Sequence, residues 1–245
     1  LLHETGNNAA EIACHFGPSD HPEVPGRWQY YGVSLPFWRS YDKEDPRREF
    51  FYYDYTGDAK RDDQSDYGFH YMVPEEGVTV VPNDTTKYMQ NVATMKYTYD
   101  MISDAYYDGR TICIFRLSDV ILCKAEIENN LNGPAAALPY LNQIRARAGA
   151  PEYGKHNRFP APSTKEAMND AILKERGYEL VFEFQRRADL IRFGKYEEVV
   201  NAHLKKLGIA QPTNVTSSLR YFPYPLNDAQ LNPNLAAENP SRLPK

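Results

Sequence analysis

From Arg116 onward the apolar residues of this chain recur at helical spacing, and before that point they do not. Across 116–131, Leu117, Ile121 and Ala125 stand at i, i+4 and i+8, with Val120 and Ile127 alongside, so the spacing predicts one apolar face of an α-helix. Asn132-Gly133-Pro134 stops it. A second helix is predicted to run to Ala148, with Leu138, Leu141, Ile144 and Ala148 as its apolar face, Pro139 in its first turn, Gly149 at the C′ position and Pro151 just beyond. A third opens with Ser163 and Glu166, the spacing of a capping box in which each side chain satisfies an orphan amide. Its body carries Glu175, Glu179 and Glu183 at i, i+4 and i+8, a row of like charge that repels itself unless arginines face it. Arg176, Arg186, Arg187 and Arg192 are at hand. Two helices within about 33 residues have the length of one tetratricopeptide-type unit, though the full repeat signature does not match. One unit cannot bury both of its faces, so it needs neighbours: the third helix and the residues before 110, and further helices outside this chain.

Those earlier residues differ in kind. The 245-residue chain has 28 Lys+Arg and 33 Asp+Glu, a net charge of −5, but residues 1–109 hold 9 basic and 19 acidic side chains (net −10) and the rest 19 and 14 (net +5). Of the 32 aromatics, 20 lie in the same acidic stretch, so flat faces are concentrated where negative charge is densest. A phosphate polyanion needs a basic stripe, which excludes nucleic acid as the natural partner of this region. Aromatic platforms in a polar, acidic setting suit an uncharged ligand with apolar faces and many hydroxyls, and sugar rings fit that description. The alternative is that the tyrosines fill an irregular core, burying their rings while the hydroxyls stay hydrated.

Within 1–109, the run AAEIACHF (9–16) is compatible with a strand, and Pro18, Pro22, Pro25 and Gly26 then break any regular element. RWQYYGVSLPFW, from Arg27 to Trp38, holds both tryptophans in what reads as a proline-bounded loop. Asp45-Pro46-Arg47 reads as a turn into FFYYDY (50–55), an aromatic run of strand type, and 56–70 as an acidic loop. The aspartates at 54, 58, 62, 63 and 66 lack the spacing of a calcium loop. Cys14, Cys113 and Cys123 have neither zinc-knuckle spacing nor an even count, and read as buried small hydrophobes.

Composition excludes fibrous, collagen-like and wholly disordered classes: 42% of residues are apolar and 25% charged. No apolar run exceeds about five residues where a bilayer span needs roughly 20, and residues 1–4 show neither a basic nor a long apolar leader region. The six histidines form no metal-binding or catalytic pair, and neither a nucleophile elbow nor a phosphate-cradling glycine loop is present. Paired-carboxylate catalysis needs two acids across a cleft with pKa values pushed apart, whereas acids stacked on one helix face beside arginines have depressed ones. The chain reads as a binding protein with no catalytic residues, metal or cofactor.

Four motifs carry a family resemblance: RLSDVILCKAE (116–126), YLNQIRARAG (140–149), LKERGYELVFEFQRRADLIRFGK (173–195), and YFPYPLN followed by LNPNL and ENP (221–240). Together they are similar to the C-terminal portion of the SusD/RagB family of nutrient-binding outer-membrane lipoproteins of Bacteroidetes-type bacteria. Phe184 stands where a glycine is usual in that family, and Glu238 where a glutamine is common. The resemblance implies a mainly α fold of tetratricopeptide-like helical pairs, with a loop-rich, aromatic-rich ligand region and a few short strands. Residues 1–245 then form one SusD-like portion, 1–109 facing ligand and 110–245 helical with a C-terminal cap. It also implies that the signal peptide, lipid-bearing cysteine and first helical pairs precede Leu1; Cys14 lacks a lipobox. The implied partners are an oligosaccharide, or a peptide as in some relatives, and a SusC-like TonB-dependent transporter. The implied place is the extracellular face of the outer membrane. The charged signature Glu175, Arg176, Glu179, Glu183, Arg186 and Asp189 reads as an ion-pair lattice tying helices together. Ligand contact therefore falls to the proline-bounded stretch: Trp28, Tyr30, Tyr31 and Trp38 as the aromatic platform, Arg27 and Gln29 as polar partners.

Overall fold

The computed structural model describes residues 16–18, 21–22, 29, 31–57, 68–76, 86–96, 113–206, 215–232 and 234–235. Its contacts divide the chain into two units, Leu1–Glu179 and Leu180–Lys245. The change of character expected near 109 falls outside the described residues; so do most of 9–16, of which only Phe16 is described, and it is buried and helical rather than extended.

The aromatic half of the first unit is built of very short strands. β1 (Val33–Ser34) leads directly into α1 (Leu35–Arg39), and a 3-10 turn at Pro46–Glu49 precedes β2 (Phe51–Tyr52) and β3 (Asp54–Thr56). β4 (His70–Met72), β5 (Thr86–Tyr88) and β6 (Asn91–Thr94) complete the strands among the described residues. The 3-10 turn follows from its sequence: Asp45 accepts the Arg47 amide at 3.1 Å and Pro46 supplies a preset φ in the first turn. The expected continuous strand over 50–55 is broken at Tyr53 into two, which join different sheets. β6 lies between β1 and β2, antiparallel to both, and its Val92 and Ala93 are wholly buried. β4 lies between β3, antiparallel, and β5, parallel. In this second sheet Tyr55 is paired with Tyr71, and their rings stack at 4.9 Å and 9° over a small core with Met89. Many tyrosines here are core, as the alternative reading held.

The helical half follows its punctuation. α2 (Leu117–Asn132) ends at Gly133, whose φ of 89° is open to glycine, and Pro134 occupies the first position of α3 (Pro134–Ala148). Gly149 closes α3 in the left-handed conformation, φ 71°. α4 (Lys165–Glu179) packs on both. Leu122, Ala125, Ala137, Leu141, Ile144, Met168 and Ile172 form the dry interior. Three expectations are corrected. α3 starts early enough that Pro139 sits inside it, beyond the first turn. The cap of α4 is Thr164, whose hydroxyl accepts the Ala167 amide at 3.1 Å, one residue past Ser163. Cys113 and Cys123 are half-buried thiols outside any disulfide, Cys123 lying beside Asp119 and Arg176.

The largest correction concerns the facing of α2. Leu117, Val120 and Ile127 are exposed, Ile121 is half-buried, and of the predicted face only Ala125 points inward. The buried side carries Ser118, Asp119, Leu122 and Asn129. Those polar groups are partnered: Asp119 pairs with Arg176 at 2.7 Å, and Asn129 donates to the Lys165 carbonyl and to Asn169 Oδ1, both at 2.8 Å. A face lined with polar groups that find partners can be the inner one even though Asn129 Oδ1 accepts no hydrogen bond, and apolar periodicity cannot anticipate it.

The same device holds α4 to the rest of its unit. Glu175 lies between Arg47 and Arg145, each at 2.7 Å, and Glu179 accepts Arg116 at 2.6 Å, Arg147 at 2.7 Å and Arg47 at 3.0 Å. Arg47 also grips Asp45 through Nε and Nη2 at 2.9 and 2.7 Å. Burial alone would push the Glu179 carboxyl up, but the Arg116 hydrogen bond and the charges of Arg116, Arg147 and Arg47 outweigh it and hold it at about 2, down from 4.5. Glu175 and Glu179 are thus faced by arginines, which come from the 3-10 turn, the approach to α2, and α3 rather than from Arg176, Arg186, Arg187 or Arg192, and α4 ends at Glu179, so Glu183 stands outside the expected helical row. Beside it Tyr41 and Tyr178 stack at 4.1 Å, and the Tyr41 hydroxyl donates to the Tyr178 carbonyl at 3.1 Å.

In the second unit α5 (Arg186–Arg192), α6 (Tyr196–Lys206), a 3-10 turn at Ser217–Arg220 and α7 (Leu226–Leu231) follow in order. Phe182 and Phe184 precede them with positive φ, 61° and 62°. Arg187 donates to the carbonyls of Leu219 and Arg220 and lies over the rings of Tyr196 and Phe222, and Arg220 is paired with Glu197 at 2.6 Å. Asn201 brackets Val215 with two hydrogen bonds.

Candidate functional site

The first unit contains a groove of about 410 Å³ between α1, the turn into β2 and β3, and the segment after β4. Its aromatic wall is Trp38 and Tyr53, whose rings lie 5.2 Å apart and tilted by 34°. Arg39 and Arg48 supply positive charge at the wall, and Asp54, Glu75 and Glu76 stand at the exposed rim. Each position has a local cause. Pro36 favours the short helix that carries Trp38 and Arg39 on successive positions. Arg39 reaches across to donate to the Pro74 carbonyl, which ties the two banks of the groove together. The break at Tyr53 between two strands of different sheets turns its ring toward Trp38, and the Tyr53 hydroxyl donates to Glu49 at 2.5 Å, a bond that raises its pKa. Asp54 lies 2.6 Å from His70 across the β3–β4 pair.

Trp38 is placed otherwise than as an open platform in a loop. It is helical and 6% exposed, its indole N–H donates to the Arg48 carbonyl at 3.3 Å, and the Arg48 guanidinium lies 4.4 Å over its ring. The reason is that the Leu35-Pro36-Phe37-Trp38 run forms a helical turn whose apolar side packs inward, so Trp38 lines the groove by an edge. Tyr31 is 60% exposed, with its ring 5.8 Å from Phe16. Gln29 donates its amide to the Asn91 carbonyl and side chain at 3.3 and 3.1 Å, and Gly32 lies so close to Asn91 that a Cβ would come within 2.2 Å of it. Gln29 and Gly32 thus press against β6, and neither Gln29 nor Tyr31 lines the groove. Arg27, Trp28 and Tyr30 lie outside the described residues.

Of the lining side chains, Arg39, Arg48, Tyr53, Glu75 and Glu76 carried no expectation of ligand contact. FFYYDY signalled Tyr53 only as part of a strand, and nothing in the spacing linked it to residues 73–76. Tyrosine and tryptophan edges with arginines and carboxylates at the rim can pack against the apolar faces of a polar ligand and hydrogen-bond its hydroxyls. Among the described residues no group of three or more His, Cys, Asp or Glu side chains could hold a metal ion.

Residues 28–241 match the model of the SusD family. A SusD-like protein of Formosa agariphila, P25, is 39% identical over 120 residues, which cover 49% of this chain and 22% of the relative. The starch-binding protein SusD of Bacteroides thetaiotaomicron is 28% identical over 137 residues, 55% of this chain and 22% of that protein. The matched segments thus span about a fifth of these relatives. Surface glycan-binding protein A of B. thetaiotaomicron shares the fold, with a TM-score of 0.57 and 22% identity, over 88% of this chain and 42% of that one.

Proposed function

Because the chain belongs to the SusD family, we propose that it is a non-catalytic binder of oligosaccharides, held with their apolar ring faces against the aromatic wall of the groove. The observation that carries this reading is the meeting in one groove of two aromatic rings with Arg39, Arg48, Glu75 and Glu76. Burial of a sugar face at about 25 cal/mol per Å² is worth a few kcal/mol per ring before the cost of association, which suits weak capture of a ligand that must later be released. Tyr31, exposed on the same unit but outside the groove lining, and Arg27, Trp28, Gln29 and Tyr30 remain part of the proposal. The names of the starch-binding and glycan-binding relatives support it. On the same reading the protein is peripheral to the outer membrane on its extracellular face, is held there by a lipid anchor, and delivers its ligand to a SusC-like TonB-dependent transporter. No helix among the described residues is long and apolar enough to cross a membrane.

Isothermal calorimetry against plant, host and microbial oligosaccharides tests it. At least one glycan should bind, and Tyr53→Ala should weaken that binding about tenfold, roughly 1.4 kcal/mol, with the circular dichroism unchanged. Silence across the panel sinks the reading. One observation favours a peptide or protein ligand instead: Leu117, Val120, Ile127 and Leu131 leave an apolar row exposed on α2. Peptides co-purifying with the chain, with no heat from any sugar, would establish that second reading.

A further inference from the structure

A second cavity, of about 280 Å³, lies between residues 40–45 and the helices α3 and α4, and shares Tyr41 and Lys43 with the groove. Its charged lining is Lys43, Arg145, Arg158 and Lys174 against Asp42 and Asp45. Both acids are already engaged: Asp45 holds the Arg47 guanidinium at 2.7 Å, and Asp42 accepts Arg158 at 2.9 Å. Lys43 and Lys174 make no ion pair among the described residues, and the Lys174 ammonium lies 5.7 Å from the centre of the Tyr178 ring.

Arg145 is the buried member of this lining, 1% exposed. Its Nε donates to the Pro151 carbonyl at 2.5 Å and its Nη1 to Glu175 at 2.7 Å, while the guanidinium lies over the rings of Tyr153 and Phe159 at 4.9 and 4.6 Å. Its Nη2 has no hydrogen-bond partner. Nη2 is itself buried, so Arg145 acts on the cavity through the positive charge of its guanidinium and not through a donor open to it. The volume exceeds several-fold the roughly 30 Å³ share of a single water.

We propose that this cavity is an oxyanion site, receiving a carboxylate or sulfate group among Lys43, Lys174 and Arg145. The remaining wall is suited to it. Burial pushes the Tyr178 phenol up to about 12 and the Tyr41 phenol well above its ordinary value, so neither adds a negative charge near neutral pH. The proposal does not depend on the glycan reading of the neighbouring groove, since the anion alone is the probe.

Calorimetry on the whole chain at fixed ionic strength tests it, with sodium sulfate, sodium glucuronate and, as neutral control, glucose. The expected result is saturable binding of sulfate, glucuronate or both, and none of glucose. Lys43→Gln combined with Lys174→Gln should weaken it about fivefold, the equivalent of roughly 1 kcal/mol. Glucuronate without sulfate assigns the group to an acidic sugar; sulfate alone assigns it to a free inorganic anion; both keep the site. No saturable binding of either anion, or equal affinity in the double variant, overturns it. Arg145→Lys is a second probe, checked by circular dichroism because Arg145 also holds Glu175. The lysine pair carries the test if that variant does not fold.

Discussion

The two halves of the first unit solve the same problem with opposite chemistry. Around α4 the interior is held by a lattice in which Arg47, Arg116, Arg145 and Arg147 meet Asp45, Glu175 and Glu179, most of them nearly or wholly buried. Around β3 and β4 it is held by stacked rings, Tyr55 on Tyr71 beside Met89. Rings tolerate small shifts, because stacking energy varies gently with offset. A buried carboxylate between guanidiniums does not, because desolvation is recovered only with good geometry. The rigid ionic half therefore suits a frame, and the aromatic half suits a surface that must fit a ligand.

This contrast can be broken most forcefully at Glu179. Glu179→Ala removes the carboxylate shared by Arg47, Arg116 and Arg147 and should lower stability by about 3 kcal/mol, read as a drop in the urea midpoint at constant slope. A smaller loss than that expected for a surface ion pair would show that the lattice is not what holds α4. Acid sharpens the comparison next. The Glu179 carboxyl is held at about 2 against 4.5 unfolded, so its contribution, up to about 3 kcal/mol, is complete above pH 4.5 and disappears as the pH falls through 2. Urea unfolding across that window should show a slope that Glu179→Gln lacks, whereas a change confined to the Tyr55–Tyr71 stack should leave it intact. The smallest effect is expected outside both halves, in the second unit. Phe184 holds a φ of 62° with its side chain 66% exposed, so Phe184→Gly should raise the melting temperature modestly, by about 1 kcal/mol of relieved strain.

What was legible in the sequence divides along the same line. Helix limits could be read because Gly133, Pro134 and Gly149 act locally on the backbone, and the Phe184 departure from the family's usual glycine falls where the backbone is left-handed. Family membership was legible in four spaced motifs, and residues 28–241 carry it. The facing of α2 was not, because Asp119 and Asn129 turn inward only through partners on α4, 36 to 57 positions away. The groove was not legible either: its banks meet through strands of two to four residues, too short to show a period, and through one bond from Arg39 to Pro74. The stretch to Trp38 reads as a proline-bounded loop, but Pro36 sits in a first helical turn, where it starts a helix and does not break one.

Arg47 joins carboxylates 128 and 132 positions further along the chain to its own turn. Closing so long a span is slow and entropically costly; Glu175 and Glu179 meet Arg145, Arg116 and Arg147 over shorter spans, and gain Arg47 only with that closure. Helices separated from the aromatic stretch would therefore lose the guanidinium that bridges Glu175 and Glu179.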